Sequence, residues 1–156
     1  MVEKRTKTYI EDKKLRGIRI AIAVMYGIQI FLTSEPFAVR VVDGKTLQYI
    51  TPFSMIRELF ISSSWAEFGA CAIFSVLVLL PAISFFFFIL DKKTNIKSFV
   101  SLLTCVLCVY IISFEIGYNY AFGALVSLLL YLIIMFCSVI LMLGTSSYNR
   151  EYNTLN

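Results

Sequence analysis

Four long apolar stretches, separated by polar segments, dominate the pattern of residues along this chain. They cover residues 15–34, 66–90, 96–114 and 121–143. A helix rises about 1.5 Å per residue, so about 20 apolar residues cross the hydrocarbon core of a bilayer. The pattern therefore predicts four transmembrane helices. The remaining residues form two terminal tails, 1–14 and 144–156, one long connection, 35–65, and two short connections, 91–95 and 115–120.

The long connection begins with a pattern typical of a β-hairpin. Its stretch "FAVRVVDGKTLQYI" (residues 37–50) contains Asp43-Gly44, the preferred pair for a two-residue type I′ turn. Such a turn pairs Val42 with Lys45, Arg40 with Leu47, and Ala38 with Tyr49. A lone two-stranded hairpin is only marginally stable in water, so one face is expected to be covered. The predicted inward face consists of Phe37, Val39, Val41 and Ile50.

A short amphipathic helix is predicted after the hairpin, in "TPFSMIRELF" (residues 51–60). Thr51 is a suitable N-cap, and Pro52 suits the first helical position. Apolar side chains recur on one stripe, at Phe53, Ile56, Leu59 and Phe60. We expect this helix to lie on the outer leaflet or on the bundle. The sequence thus predicts an all-α integral membrane protein, a four-helix bundle with a small outer β-hairpin and a short interfacial helix between the first two spans.

Composition and charge support this class and give the expected orientation. Only 15% of the 156 residues are charged and 59% are hydrophobic, whereas soluble domains carry about 25% charged residues. Eleven basic residues fall on one side of the predicted spans: Lys4, Arg5, Lys7, Lys13, Lys14, Arg16, Arg19, Lys92, Lys93, Lys97 and Arg150. Three fall on the other side: Arg40, Lys45 and Arg57. Because cytoplasmic loops carry the excess of Lys and Arg, both tails are expected in the cytoplasm. The net charge of +4 follows from this bias, and we expect no nucleic acid partner.

Few side chains in the spans are suited to chemistry. The chain contains no His, and no Asp, Glu, Lys or Arg lies in the centre of a predicted span. Proton relays, ion pumps and intramembrane hydrolases place ionisable residues there. We therefore expect no enzyme, no cofactor and no metal site. At the inner boundary, Arg16 and Arg19 are expected to extend toward the lipid headgroups.

Cysteines and hydroxyl residues give only weak functional signals. The cysteines are predicted at three depths, as small buried side chains rather than a thiol relay: Cys71, Cys105, Cys108 and Cys137. A conducting pore would need a polar stripe on one helix. The third span offers a faint one: Ser101, Thr104, Cys108 and Ser113.

The candidate site residues all lie on the outer side. Arg40, Leu47, Tyr49 and Arg57 are predicted to contact a partner. Glu115 ends the third span, where a carboxylate opposes the helix dipole and a cation nearby would stabilise it. Arg40 or Arg57 could supply that cation, so Glu115 is predicted to dock the hairpin onto the bundle.

In outline the chain is similar to the claudin family, which also has four spans, cytoplasmic termini and β structure in the first outer loop. The family's loop signature of tryptophans and a cysteine pair is missing, since residues 35–65 contain only Trp65 and no Cys. The sequence therefore identifies no family.

The expected function is a non-catalytic accessory, binding or protective subunit whose outer segment, 35–65, contacts a partner or caps the bundle. The expected partners are the lipid bilayer and another membrane or extracytoplasmic protein. A small transporter or channel subunit acting as an oligomer is the alternative, and an enzyme acting on lipid with Glu67 or Glu115 as the base comes third. The chain has no N-glycosylation sequon and no lipidation signal, which favours a bacterial plasma membrane.

Overall fold

Helices form most of the molecule. The computed structural model describes residues 13–42, 46–61, 64–91, 95–116 and 119–154, with all their side chains except those of residues 13, 14, 42, 46, 66, 67, 115 and 148–154. The elements are α1 (Lys13–Leu32), β1 (Ala38–Val42), β2 (Thr46–Ile50), α2 (Pro52–Leu59), α3 (Trp65–Leu90), α4 (Ile96–Tyr110), a π-helical turn (Ile111–Glu115) and α5 (Phe122–Thr154).

The predicted spans are confirmed as helices. Among the described residues, four segments are long and apolar enough to cross a membrane: Leu15–Leu32, Phe68–Leu90, Ile96–Phe114 and Phe122–Ser147. This indicates a membrane-embedded protein. The last helix, α5, continues to Thr154, so it extends beyond the end of the predicted span at residue 143.

The four long helices form a closed ring. α1 contacts α3 and α5, and α4 also contacts α3 and α5. Buried positions of α5 recur every seven residues, at Ala124, Tyr131, Ser138 and Thr145. In α1 the same spacing relates the buried residues Leu15, Ile22 and Gln29. A seven-residue repeat is typical of helices that pack side by side in a left-handed bundle.

α4 turns its polar side chains inward. Its buried residues are Lys97, Ser98, Ser101, Thr104, Cys105 and Cys108. Large apolar side chains cover its opposite face: Ile96, Phe99, Leu103, Val106, Leu107 and Tyr110. Lipid tails are as apolar as leucine, so in a membrane little is gained by burying apolar side chains, whereas polar groups gain from pairing inside the bundle. The arrangement fits a helix surrounded by lipid.

Arg19 is buried rather than extended toward the headgroups, so that prediction is wrong. Its side chain is 8% exposed, and its Nη1 donates to the carbonyl of Phe88 at 2.7 Å. Phe88 lies in the last turn of α3, where carbonyls lack partners within the helix and a cation is favourable. Arg19 therefore caps α3 from inside the bundle. Arg16 is exposed, as expected.

The hairpin pairs in a register one residue away from the predicted one. β1 and β2 are antiparallel, and their pairs are Ala38–Ile50, Val39–Tyr49, Arg40–Gln48, Val41–Leu47 and Val42–Thr46. The predicted turn at Asp43-Gly44 lies outside the described residues. Three residues, 43–45, separate the strands, one more than a two-residue turn allows, and a shift of one residue changes which side chains share a face.

Candidate partner-binding surface on the outer cap

The hairpin and α2 together form a structure that we call the outer cap, comprising β1, β2 and α2. Backbone hydrogen bonds hold it on the bundle. The Val39 amide donates to the Asn119 carbonyl at 3.1 Å, and the Ala121 amide donates to the Phe37 carbonyl at 3.0 Å. Ala38 and Tyr120 form an isolated antiparallel bridge. Residues 119–121 thus act as a short third strand on the edge of β1 opposite β2.

Gly123 allows a further close contact at the start of α5. Its amide donates to the carbonyl of Pro36 at 3.0 Å, which satisfies one of the amides left unpaired in the first turn of a helix. A Cβ atom at Gly123 would lie 2.6 Å from that carbonyl oxygen and 3.1 Å from Cδ2 of Phe37. Only glycine therefore fits without a shift of one backbone against the other.

The hairpin is packed at its base and exposed toward its tip. Phe37 and Ala38 are buried, and Ile50 packs against the core cluster. Val41 was predicted to face inward together with Phe37 and Ile50, but 60% of it is exposed. The predicted inward face is therefore wrong in part, because the observed register puts Val41 and Ile50 on opposite faces.

α2 begins as predicted and lies along α3. The Thr51 Oγ1 accepts a hydrogen bond from the Ser54 amide at 3.1 Å, and Pro52 follows at the start of the helix. Contacts between α2 and α3 include Sγ of Cys71 and Sδ of Met55 at 3.8 Å. The apolar stripe is not wholly covered. Three aromatic residues of this region remain exposed: Phe53, Phe60 and Trp65.

The four predicted partner-binding residues are all exposed, but they do not form one face. Leu47 is 57% and Tyr49 60% exposed, and Arg40 and Arg57 are also exposed. Cross-strand partners share a face of a sheet. Leu47 and Tyr49 therefore lie with Val41 and Val39, on what we call the apolar face of the hairpin. Arg40 lies on the other face with Gln48, and Arg57 lies on α2.

Glu115 is predicted to dock the hairpin onto the bundle, but its side chain lies outside the described residues. The backbone at Glu115 ends the π-helical turn. Among the described residues, the hairpin is held on the bundle by the backbone bonds of residues 119–123 with residues 36–39 and by the burial of Phe37 and Ala38. Docking by strand pairing was not foreseen, because it joins segments about 80 residues apart and no short-range pattern signals it.

A hydrogen-bonded network of polar side chains fills the bundle interior. The Tyr26 hydroxyl lies 2.8 Å from the Ser101 hydroxyl, which lies 2.7 Å from that of Ser138. A second pair, Ser84 and Thr104, joins α3 to α4 at 2.8 Å. These bonds connect all four long helices, since Tyr26 belongs to α1 and Ser138 to α5. The only sequence signal for this network is the helical spacing of hydroxyl residues in α4, which is faint.

The cysteines are free thiols in this interior or at its edge. Cys71, Cys105 and Cys108 are buried, and Cys137 is half-buried. The Sγ of Cys105 lies 3.5 Å from the Tyr26 hydroxyl. An apolar groove of about 250 Å³ between α4 and α5 is lined in part by Cys105 and Ser113. Within the described ranges, no three His, Cys, Asp or Glu side chains lie close enough to hold a metal ion.

No protein family, curated protein or solved structure matches the chain.

Proposed function

We propose that this protein is a non-catalytic accessory or binding subunit of a bacterial plasma membrane, with both termini in the cytoplasm and the outer cap on the other side. The observation that carries the proposal is the apolar face of the hairpin. Its residues Val41, Leu47 and Tyr49 are each more than half exposed, although the strand that carries Val41 is fixed to the bundle by backbone hydrogen bonds.

A fixed and exposed apolar surface favours binding over a purely structural lid. A lid would be expected to turn apolar side chains of the hairpin toward the bundle, and here only the base of the hairpin does so. Aromatic and aliphatic anchors at the centre of a contact supply most of the binding energy of typical interfaces. Tyr49 and Leu47 are suited to that role, whereas Arg40 lies on the opposite face of the hairpin and Arg57 lies on α2.

Affinity purification of the tagged full-length chain from its native membrane tests this proposal. We expect one protein to co-purify, and we expect Leu47→Lys or Tyr49→Lys to lower its recovery about tenfold, because a buried charge disrupts an apolar contact. Gln48→Lys is the matched control, since Gln48 lies between these residues on the opposite face. The proposal fails if nothing co-purifies, or if all three variants retain the same protein equally.

The polar interior favours a second candidate function, a small transporter or channel subunit that acts as an oligomer. The observation is the inward face of α4, whose buried residues are all polar or cysteine. The buried hydroxyls of Ser98 and Ser127 also have no hydrogen-bond partner among the described residues. Polar side chains that face the inside of a bundle can line a pathway, but they also bind helices to one another.

Thiol labelling distinguishes the accessory-subunit proposal from the transporter or channel candidate. A charged, membrane-impermeant thiol reagent enters a water-filled pathway but not a closed bundle. The accessory-subunit proposal predicts that Cys105 and Cys108 stay unlabelled in intact membranes. A small lipid-soluble maleimide is the control for reactivity, because the groove between α4 and α5 extends to Cys105. Labelling of Cys105 or Cys108 by the charged reagent would favour the transporter.

A further inference from the structure

The short helix α2 runs back along the first turns of α3. A connection of five residues, 60–64, joins the two helices, and such short connections join antiparallel neighbours. The sulfur atoms of Met55 and Cys71 lie 3.8 Å apart. Cys71 follows Trp65 by six residues, which is about 9 Å along the axis of α3. α2 therefore stands beside α3 rather than lying flat above the bundle.

The beginning of α2 lies at the depth where α1 ends its span. The Phe53 amide donates to the carbonyl of Thr33 at 3.2 Å. Thr33 directly follows the apolar segment Leu15–Leu32, so its carbonyl lies at the outer end of that segment. Phe53 therefore lies at the outer boundary of the hydrocarbon core, whereas the opposite end of α2 lies farther out.

Exposed phenylalanine side chains mark the same boundary on three of the long helices. Phe31 lies in the last turn of α1, Phe114 ends the third apolar segment, and Phe122 begins the fourth. Their side chains are 77%, 71% and 73% exposed, and Phe53 is 63% exposed. Large apolar side chains at the outer ends of membrane spans contact lipid. Phe53 of the outer cap thus continues the lipid-facing surface of the spans.

α2 covers α3 at this depth and takes its place on the lipid-facing surface. Between Phe68 and Leu79, a stretch that the structure describes in full, α3 exposes no large apolar side chain. The contact of Met55 with Cys71 falls within that stretch, which belongs to the apolar segment Phe68–Leu90. The part of the span that lipid would otherwise surround is therefore in contact with α2.

α2 has one aromatic side and one polar side. Phe53 and Phe60 are seven residues apart, so they share one side of the helix, and both are exposed. Ser54 and Glu58 are four residues apart and share another exposed side. The half-buried side chains, on the side of the contact with α3, are Met55, Ile56 and Leu59. A helix of this kind suits the boundary between hydrocarbon and headgroups.

We infer that α2 is inserted upright in the outer leaflet beside α3, where Phe53 contacts phospholipid acyl chains and Phe60 and Trp65 contact the headgroup region. Trp65 is 90% exposed and precedes the apolar segment of α3, and tryptophan side chains are common at headgroup depth. Only Thr51 separates β2 from α2, so the inserted helix fixes the height of the hairpin above the leaflet. The inference concerns lipid and does not depend on the proposed protein partner.

Quenching of tryptophan fluorescence tests the inference, because Trp65 is the one tryptophan of the chain. The full-length chain is reconstituted in phosphatidylcholine vesicles that carry either a nitroxide on the headgroup or bromine on the acyl chains. We expect the headgroup nitroxide to quench Trp65 more strongly than the bromine does. In Phe53→Trp combined with Trp65→Phe, the tryptophan lies about 10 Å deeper, because α2 rises about 1.5 Å per residue. We expect the larger loss of emission from bromine there.

Leu47→Trp combined with Trp65→Phe is the matched control, because Leu47 lies on the exposed face of the hairpin. We expect aqueous iodide to quench that variant and acyl-chain bromine to leave it unchanged. Equal quenching profiles at positions 53 and 65 would mean that α2 lies flat and would overturn upright insertion. Quenching of both positions by iodide alone would place α2 in water and overturn the inference.

The unmodified chain provides a test that no substitution can disturb. If neither lipid quencher nor iodide lowers the emission of Trp65, another protein surface or a second copy of the chain covers it, and the inference fails. Quenching of Trp65 by the headgroup nitroxide supports lipid contact even if the variant at position 53 does not fold. Recovery of a co-purifying protein is measured separately, so failure of lipid insertion leaves the proposed function intact.

Discussion

At the scale of single residues, Gly123 controls how closely the outer cap approaches α5. In Gly123→Ala, the new Cβ would meet the Pro36 carbonyl oxygen at 2.6 Å, so one backbone has to move. We expect a loss of about 1–3 kcal/mol, the usual cost of overpacking, and faster protease cleavage within residues 37–50. Thermal unfolding in detergent and limited proteolysis measure the two effects.

Gly69→Ala is the matched control for this substitution. A Cβ at Gly69 would meet nothing within 4 Å, and alanine has the higher helix propensity. We expect the stability of Gly69→Ala to equal or exceed that of the unmodified chain. If Gly123→Ala proved as stable as Gly69→Ala, the close backbone contact would not be what holds the cap in place.

Arg19 offers a second prediction at this scale, because it caps α3 from a buried position. Arg19→Ala leaves the Phe88 carbonyl without its donor and leaves space in the bundle. We expect a loss of about 2 kcal/mol or more in the free energy of unfolding. Arg16→Ala removes the same side chain from an exposed position three residues earlier, where the expected change is within about 0.5 kcal/mol. Equal losses in the two variants would contradict the capping role.

At the scale of elements, the inward polar face of α4 determines how the four long helices associate. Its Ser101 bonds to Tyr26 of α1 and to Ser138 of α5. Because lipid does not drive apolar surfaces together, such bonds give the bundle its specific pairing. Substitutions at two positions of this network, on different helices, should therefore show a measurable interaction free energy.

A double-mutant cycle on Tyr26→Phe and Ser101→Ala measures that coupling. Each single change removes the bond between the two hydroxyls, although Ser101 keeps its bond to Ser138 and Tyr26 keeps its bond to the Ser101 carbonyl. The double change removes both partners of the bond. We expect an interaction energy of about 0.5–1.5 kcal/mol from unfolding in mixed detergent. Tyr26→Phe combined with Thr145→Ala is the control, because Thr145 bonds within α5 to the Leu141 carbonyl. An interaction energy near zero for the first pair would mean that the hydroxyl contact does not contribute to association.

The helices and strands also show which parts of this fold can be predicted from the sequence. The four spans follow from runs of apolar residues, which have few other interpretations, and the α2 N-cap follows from Thr51-Pro52. The hairpin register was missed by one residue, since Asp43-Gly44 also fits a longer connection. The third strand at residues 119–121 and the burial of Arg19 depend on contacts between distant segments. No local pattern reports such contacts.

At the scale of the whole molecule, the ring of helices separates two chemically different ends. One end carries the outer cap, and the other has the buried side chains of Arg19 and Lys97, which are 8% and 1% exposed. Both cations belong to the side that the sequence predicts to hold eleven of the 14 basic residues. Arg19 faces the carboxyl end of α3, where its charge is stabilised by the helix dipole. Our proposal places the end with the buried cations in the cytoplasm.

Reporter fusions test this orientation directly. Fusions after residues 61, 93, 119 and 156 place a reporter after the outer cap, after the second span, after the third span and at the carboxyl end. Because the excess of Lys and Arg keeps a loop in the cytoplasm, we expect a fluorescent protein that folds only in the cytoplasm to report at 93 and 156. A phosphatase that is active only outside should report at 61 and 119. The opposite alternation would place the outer cap in the cytoplasm and would rule out an extracytoplasmic partner for it.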